Sequence, residues 1–335
     1  MENTQTRLNP DVCENVAQTI KGLKLRTDFY NREYLNPAVD EETKFRMNFF
    51  AVAICHQTYQ LQNLPLNLFG WDYLEYGFVR FAKLNSPILD PQFLAHSTVN
   101  EVIEILRPAF SPDEKPENCT LDRLDERAEL MIQAGKLISS DYQNSVKNLI
   151  CSADGFLLHQ GKGLYEILPH FEAFADPLQK KSTFLIKLLM EANLLKINDP
   201  ENFIPIMDYH MQRVLMRLGC IEIVDETLRR KLINRETLPS DEVVRNRCIE
   251  AFKLIAEISG HPVTKMNDFF WSLGRSCCNQ TTLCQARVCE KNPCTFTQII
   301  EINDHSHCIF EPVCKGFRQS DYRNLWQPVI ETHYY

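Results

Sequence analysis

Apolar residues recur at three- and four-residue steps over positions 10–23, 43–62, 71–84, 98–107, 121–139 and 142–150. They do so again over 178–195, 206–218, 225–233, 240–259 and 265–273. That spacing lines one face of a helix turning every 3.6 residues. Alternation at period two is almost absent, and only Ile299–Ile302 and His307–Phe310 read as short strands. Ser240 before Asp241 and Glu242 predicts a helix N-cap with acids in the first turn. Gly274 predicts the end of the last long helix. Pro87, Pro91, Pro108, Pro112 and Pro116 mark connections, and Phe110–Asn118 is the most linker-like stretch. The pattern predicts an all-α protein.

Within Phe203–Gly219, Met207, Met211, Val214, Leu215 and Leu218 form one apolar stripe. Asp208, three residues after Pro205, falls at the first turn of that helix, where an aspartate commonly caps the free amides.

Composition narrows the class. The chain has 335 residues, 44% hydrophobic and 24% charged, which excludes wholesale disorder. No apolar run approaches the roughly 20 residues of a membrane span, and the longest, Phe184–Met190, is interrupted by Lys187. The first 20 residues hold no apolar stretch of the signal-peptide kind, so a soluble, cytoplasmic protein is expected. The net charge of −8 argues against a surface built for a polyanion, since phosphate contacts supply most nucleic-acid affinity.

Of the 13 cysteines, seven fall between Cys277 and Cys314. Composition shifts near residue 275 from leucine- and glutamate-rich helix to cysteine, asparagine and threonine. The expected division is therefore a helical domain over 1–274 and a cysteine-rich segment over 275–335. Such a segment buries little apolar surface, and in an intracellular protein clustered thiols favour a metal or cluster over disulfides.

Two resemblances suggest chemistry. The run Asp208-Tyr209-His210-Met211-Gln212-Arg213, continuing to Arg217-Leu218-Gly219, resembles the catalytic segment of the helix-hairpin-helix base-excision glycosylases. Met47–Asn63 is similar to an early helix of that superfamily and would aim Gln57 at substrate. Lys181 stands near the lysine of its lyase-competent members. The hairpin glycines are replaced by Ala175-Asp176-Pro177, and Lys180 and Lys181 on their own read as surface lysines. Over about 45–273 the order of segments resembles the queuosine salvage family of N-glycosidases. The matching pieces are Met47-Asn48-Phe49-Phe50, Leu68–Leu74, Ser97–Ile103, Glu126-Arg127 through Leu137, Lys180–Thr183, Met207–Tyr209, Glu242–Arg245 and Asp268–Trp271. The chain departs from that family at His210-Met211-Gln212 and at Cys55–Tyr59.

These resemblances imply a two-part, helix-hairpin-helix glycosylase-like fold and cleavage of an N-glycosidic bond. Asp208 would be the catalytic carboxylate, with Lys181 as a second catalytic group. Gln57, Tyr59, Trp71, Tyr209 and His210 would contact a small nucleotide or nucleoside carrying a 7-deazaguanine-type base. The iron–sulfur glycosylases further imply a [4Fe–4S] cluster on Cys277, Cys284, Cys289 and Cys294, with zinc as the alternative and Cys308, Cys314, His305 and His307 as spare ligands. The glycosidic chemistry itself needs no cofactor. A damaged base in DNA is the competing substrate, and a non-catalytic, metal-stapled interaction protein is a further reading.

Overall fold

The computed structural model describes residues 5–26, 32–302 and 304–335. In chain order the elements begin with β1 (Thr6–Leu8), α1 (Pro10–Ile20), α2 (Glu41–Ala53), β2 (Gln62–Asn63), β3 (Leu68–Phe69) and α3 (Trp71–Lys83). There follow α4 (Pro91–His96), α5 (Val99–Ala109), α6 (Leu124–Asp141), α7 (Val146–Cys151), α8 (Leu164–Ile167) and α9 (Lys180–Glu191). Next come α10 (Tyr209–Leu218), β4 (Ile221–Ile223), α11 (Glu226–Asn234), α12 (Glu242–Ser259) and α13 (Val263–Arg275). Four single turns end the chain: α14 (Leu283–Ala286), α15 (Phe296–Ile299), α16 (Lys315–Arg318) and α17 (Ser320–Arg323). Among the described residues no helix is long and apolar enough to cross a membrane.

The chain forms two compact units, one from residues 1–29 and 204–331, the other from 30–203 and 332–335. In the first, α1 packs on α12, and α10 lies against both α12 and α13. Strand β1 pairs antiparallel with β4, Thr6 opposite Ile223. Phe269, Phe270, Phe296 and Phe310 pack their rings together, the Phe269–Phe296 centroids 5.1 Å apart. The cysteine-rich residues 275–331, which the composition sets apart, belong to this same unit. In the second unit, α6 packs on α4 and α5, and α2 on α3 and α9. Phe49 of α2 meets Phe171 and Phe174, its ring 4.9 Å from the latter.

All eleven stretches of helical spacing overlap a helix. The differences lie at their ends. The 43–62 stretch stops being helical at Ala53, because the buried Arg127 guanidinium draws off the carbonyls of Ile54 and His56 and Gln57 enters the left-handed region at φ 43°. Ile299 closes α15 and residues 307–310 turn, so neither expected strand exists there. Gly274 lies inside α13, and Ser276 ends the helix. That glycine serves close approach, for a Cβ on it would stand 2.7 Å from the His210 carbonyl oxygen. At α12 the capping position is Asp241, while Ser240 Oγ accepts from the Glu242 amide at 3.1 Å.

Candidate active site and metal centre

Asp208 is the N-cap of α10, in extended backbone, and its Oδ1 accepts the Met211 amide at 2.9 Å. The residue is only 7% exposed. The unpaired amides and dipole at a helix start favour the ionised carboxylate. Tyr209 and His210 follow with ring centroids 4.3 Å apart. Burial, then the charge of Arg213, push His210 well below the usual imidazole range, so it is neutral. Arg213 Nη2 faces His210 Nδ1 at 3.0 Å. An arginine can only donate, so that nitrogen accepts and the ring proton sits on Nε2.

Two buried arginines on α10 bind the helix to the segment after α13. Arg213 donates to the carbonyls of Gly274 (2.7 Å) and Cys278 (3.2 Å) and to Asn279 Oδ1 (2.9 Å). Arg217 donates to the carbonyls of Asn279 (2.7 Å), Leu325 (3.0 Å) and Cys278 (3.1 Å). The Trp326 ring receives both guanidinium groups, at 4.6 and 5.4 Å from its centroid. One titratable group here escaped the sequence reading. Burial raises the Asp268 carboxyl on α13 well above the ordinary carboxylate range, and the neighbouring Asn267 Oδ1 accepts the Ile206 amide at 3.2 Å, two residues before Asp208. An acid inside the apolar run Asn267–Trp271 is the signal that could have exposed it.

The remaining expected site residues belong to the other unit. Lys181, read as a surface lysine, is fully buried, and so is most of Lys180. The helix N-terminus of α9 points its first turn inward. Lys181 Nζ donates to the Ala53 carbonyl at 2.5 Å and lies 3.4 Å from His56 Nδ1. Burial pulls its ammonium down to about 7. Burial, with the charges of Lys181 and Arg127, likewise holds His56 neutral, 3.5 Å from Glu126. Gln57 Oε1 accepts from Arg123 at 2.5 Å, and Arg123 also donates to the Thr332 carbonyl at 2.9 Å. Trp71 donates from Nε1 to Glu75 Oε1 at 2.8 Å and meets Phe184 at 4.7 Å. Tyr59 is 60% exposed and borders a surface hollow of about 380 Å³ with Gln60, Gln62, Thr120 and Asp122. That hollow includes neither Gln57 nor Trp71.

At the start of α9 the Asp176 carboxylate accepts the amides of Leu178 (3.0 Å) and Lys180 (2.9 Å). The chain's own anion therefore occupies the amides that a phosphate would need.

Beyond α13, Cys277, Cys289, Cys294 and His305 bring their ligand atoms within 4.8 Å of one another. Cys277 Sγ is 3.5 Å from Cys294 Sγ and 3.9 Å from His305 Nε2. These contacts suit a single bound cation. The Cys277 contact lowers the Cys294 thiol, with Ser276 Oγ and the amides of Thr297 and Phe296 adding to it against the cost of burial. Three of the four expected cysteines thus meet. The fourth place belongs to His305, and Cys284 lies apart, beside Cys308 and Cys314. The imidazole comes from a turn that the cysteine spacing alone does not bring back to Cys277.

The family model of the queuosine salvage protein matches residues 47–274. The chain belongs to the queuosine salvage family. The matched span includes Lys181, Asp208 and Asp268 and ends where the cysteine-rich segment begins. No curated protein matches the chain. The family points to queuosine salvage and to a small nucleotide or nucleoside as substrate.

Proposed function

We propose that this protein hydrolyses the N-glycosidic bond of a queuosine-type nucleotide or nucleoside, with Asp208 as the catalytic carboxylate. The observation that carries the reading is the setting of Asp208: a nearly buried carboxylate at the first turn of α10, inside the span matched by the family. Breaking an N-glycosidic bond builds positive charge on the sugar ring. A fixed carboxylate stabilises that charge or draws a proton from the attacking water. Its Oδ1 accepts the Met211 amide, and that hydrogen bond fixes the rotamer of the carboxylate. Arg213, which donates to His210 Nδ1, is a cation supporting this turn. Tyr209 and His210 are the proposed substrate contacts. Lys181 acts as a positioning residue that ties α9 to the end of α2 through the Ala53 carbonyl.

A free nucleotide is favoured over duplex DNA by Asp176, which fills the amides at the α9 start with a carboxylate, and by the net charge of −8.

Cys277, Cys289, Cys294 and His305 are proposed to hold one zinc ion. Zinc–ligand bonds of about 2.0–2.3 Å give tetrahedral edges of about 3.3–3.8 Å, close to the 3.5 and 3.9 Å separations at Cys277. A four-iron cluster, with a thiolate on each iron, needs its cysteines spread wider. Zinc there would staple the segment that receives Arg213 and Arg217, away from the glycosidic chemistry.

The test is release of the free base from queuosine 5′-phosphate, followed by chromatography, beside duplexes carrying oxidised, deaminated or alkylated bases. Release from the nucleotide by the parent and not by Asp208→Asn is expected. Release from duplexes alone would overturn the reading.

A further inference from the structure

Seven cysteines follow α13, and the first centre uses three. The other four are Cys278, Cys284, Cys308 and Cys314, all free thiols. They line one cavity of about 30 Å³, which Cys277 also borders and whose remaining wall includes Arg217, Thr282, Val214, Leu218, Leu273, Phe310 and Phe317. Cys308 lies within electrostatic reach of Cys278, Cys314 and Cys284, and Cys314 of Cys278 and Cys284.

The backbone explains how residues distant in sequence meet. Leu283 N bonds to the Cys277 carbonyl at 2.8 Å, and Cys278 bridges to Thr282. That turn folds Cys284 back beside Cys278. In the second arm, the Cys314 amide bonds to the Phe310 carbonyl at 2.7 Å and the Glu311 amide to the Cys308 carbonyl at 3.0 Å, so Cys308 and Cys314 bracket one tight loop. Glu311 also borders the cavity, but its Oε1 is engaged by Arg287 at 2.7 Å and by the Cys308 amide at 3.0 Å.

We propose that Cys278, Cys284, Cys308 and Cys314 form a second, four-thiolate metal site that binds zinc beside the first. The eight ligands then interleave along the chain. Cys277, Cys289, Cys294 and His305 serve one ion, Cys278, Cys284, Cys308 and Cys314 the other, and adjacent Cys277 and Cys278, though both border the cavity, serve separate ions. Both loops, 277–294 and 305–314, supply ligands to both ions, so neither loop closes without the other. Four thiolates around a divalent ion leave a charge of −2, and the neighbouring cation is Arg217, whose Nη1 is 3.8 Å from Cys278 Sγ. Cys314 Sγ donates to the Arg217 carbonyl at 3.5 Å in the protonated state, and binding of the ion releases that proton. Val214, Leu218, Leu273, Phe310 and Phe317 form the apolar part of the wall and limit the access of water to the ion. The site is structural, because four protein ligands leave no open position.

The test counts metal in the full-length protein purified under reducing conditions, by elemental analysis against protein mass, with X-ray absorption at the zinc edge. Two zinc ions per chain are expected. Seven thiolates and one imidazole over two ions average 3.5 sulfur and 0.5 nitrogen ligands per ion. Cys284→Ser with Cys308→Ser should lower the count to one and leave a spectrum of three sulfurs and one nitrogen. Cys289→Ser with Cys294→Ser should also lower it to one, with four sulfurs. One ion per chain with three sulfurs and one nitrogen in the parent protein overturns the proposal, as does a disulfide among the four thiols. Both readouts use the parent protein, so a variant that fails to fold does not blunt them. Neither depends on glycosidase activity. Loss of the first site alone would instead show as one ion with four sulfurs.

Discussion

Lys181 in one unit and Arg213 and Arg217 in the other are all buried cations, and the protein accommodates them in opposite ways. Around Lys181 the polar partners are the Ala53 carbonyl and the His56 ring nitrogen, and burial brings its ammonium down to about 7. The cation can give up its proton. An arginine keeps its charge at any ordinary pH, so each buried guanidinium must be met by acceptors. Arg213 and Arg217 find them in the carbonyls of Gly274, Cys278, Asn279 and Leu325. Most of those carbonyls lie in a cysteine-rich segment with little apolar core of its own. One unit's buried charge is thus relieved by a proton equilibrium, the other's by the carbonyls of a segment whose Cys277, Cys289, Cys294 and His305 could hold a metal ion.

The largest expected effect comes from removing the proposed zinc. Structural zinc contributes on the order of 10 kcal/mol of apparent folding energy in small domains at neutral pH. A strong chelator should therefore melt the 275–331 segment and expose Arg213 and Arg217 without acceptors. Limited proteolysis should then cut first between Cys277 and Cys314, while the fragment around α2, α6 and α9 persists. Equal resistance with and without chelator would show that packing, not metal, holds the segment.

Asp208→Asn should cut the glycosidase rate by about a thousandfold, the scale of losing one preorganised electrostatic group. The melting temperature should hardly change, because the amide oxygen still accepts the Met211 amide. A large fall in melting temperature with the rate retained would make Asp208 a cap and nothing more.

Arg217→Lys should cost about 2–4 kcal/mol, since one ammonium cannot reach the Leu325, Cys278 and Asn279 carbonyls from a single fork, and buried acceptors left unpaired are expensive. Urea midpoints measure it. No change would mean that water substitutes for the guanidinium.

What the sequence showed and what it hid follow the same physics. Helices were legible because burial of one face imposes the 3.6 period, and every periodic stretch overlaps one. Asp208 was legible because a cap, a proline and an apolar stripe mark the start of α10 within a few residues. The burial of Lys181 was not, because isolated lysines are usually solvated and nothing nearby in sequence reveals that Ala53, His56 and Glu126 lie close to it. His305 was legible only as one of several spare ligands, since spacing between cysteines does not say which of them a turn 11 residues past Cys294 brings to Cys277. Gly274 was misread as a helix end because its reason is a neighbour distant in sequence, the His210 carbonyl.

The smallest and most discriminating effect concerns Lys181 itself. An ordinary lysine titrates near 10.5, and this one is lowered to about 7. Between those values the unfolded chain binds a proton that the native state has released, so native stability rises with pH across that window, by up to about 1.4 kcal/mol per pH unit. Below about 7 both states are protonated, and the full cost of burying the ammonium is present. Lys181→Met fills similar volume without a charge. Its stability relative to the parent should therefore be greatest near pH 6 and shrink steadily as pH rises above about 7. The measurement is urea unfolding of both proteins at about pH 6, 7.5 and 9. A constant difference across the three would show that Lys181 keeps its proton throughout. The contrast with Arg213 and Arg217 would then lie only in how many acceptors each cation commands, and not in whether it can discharge.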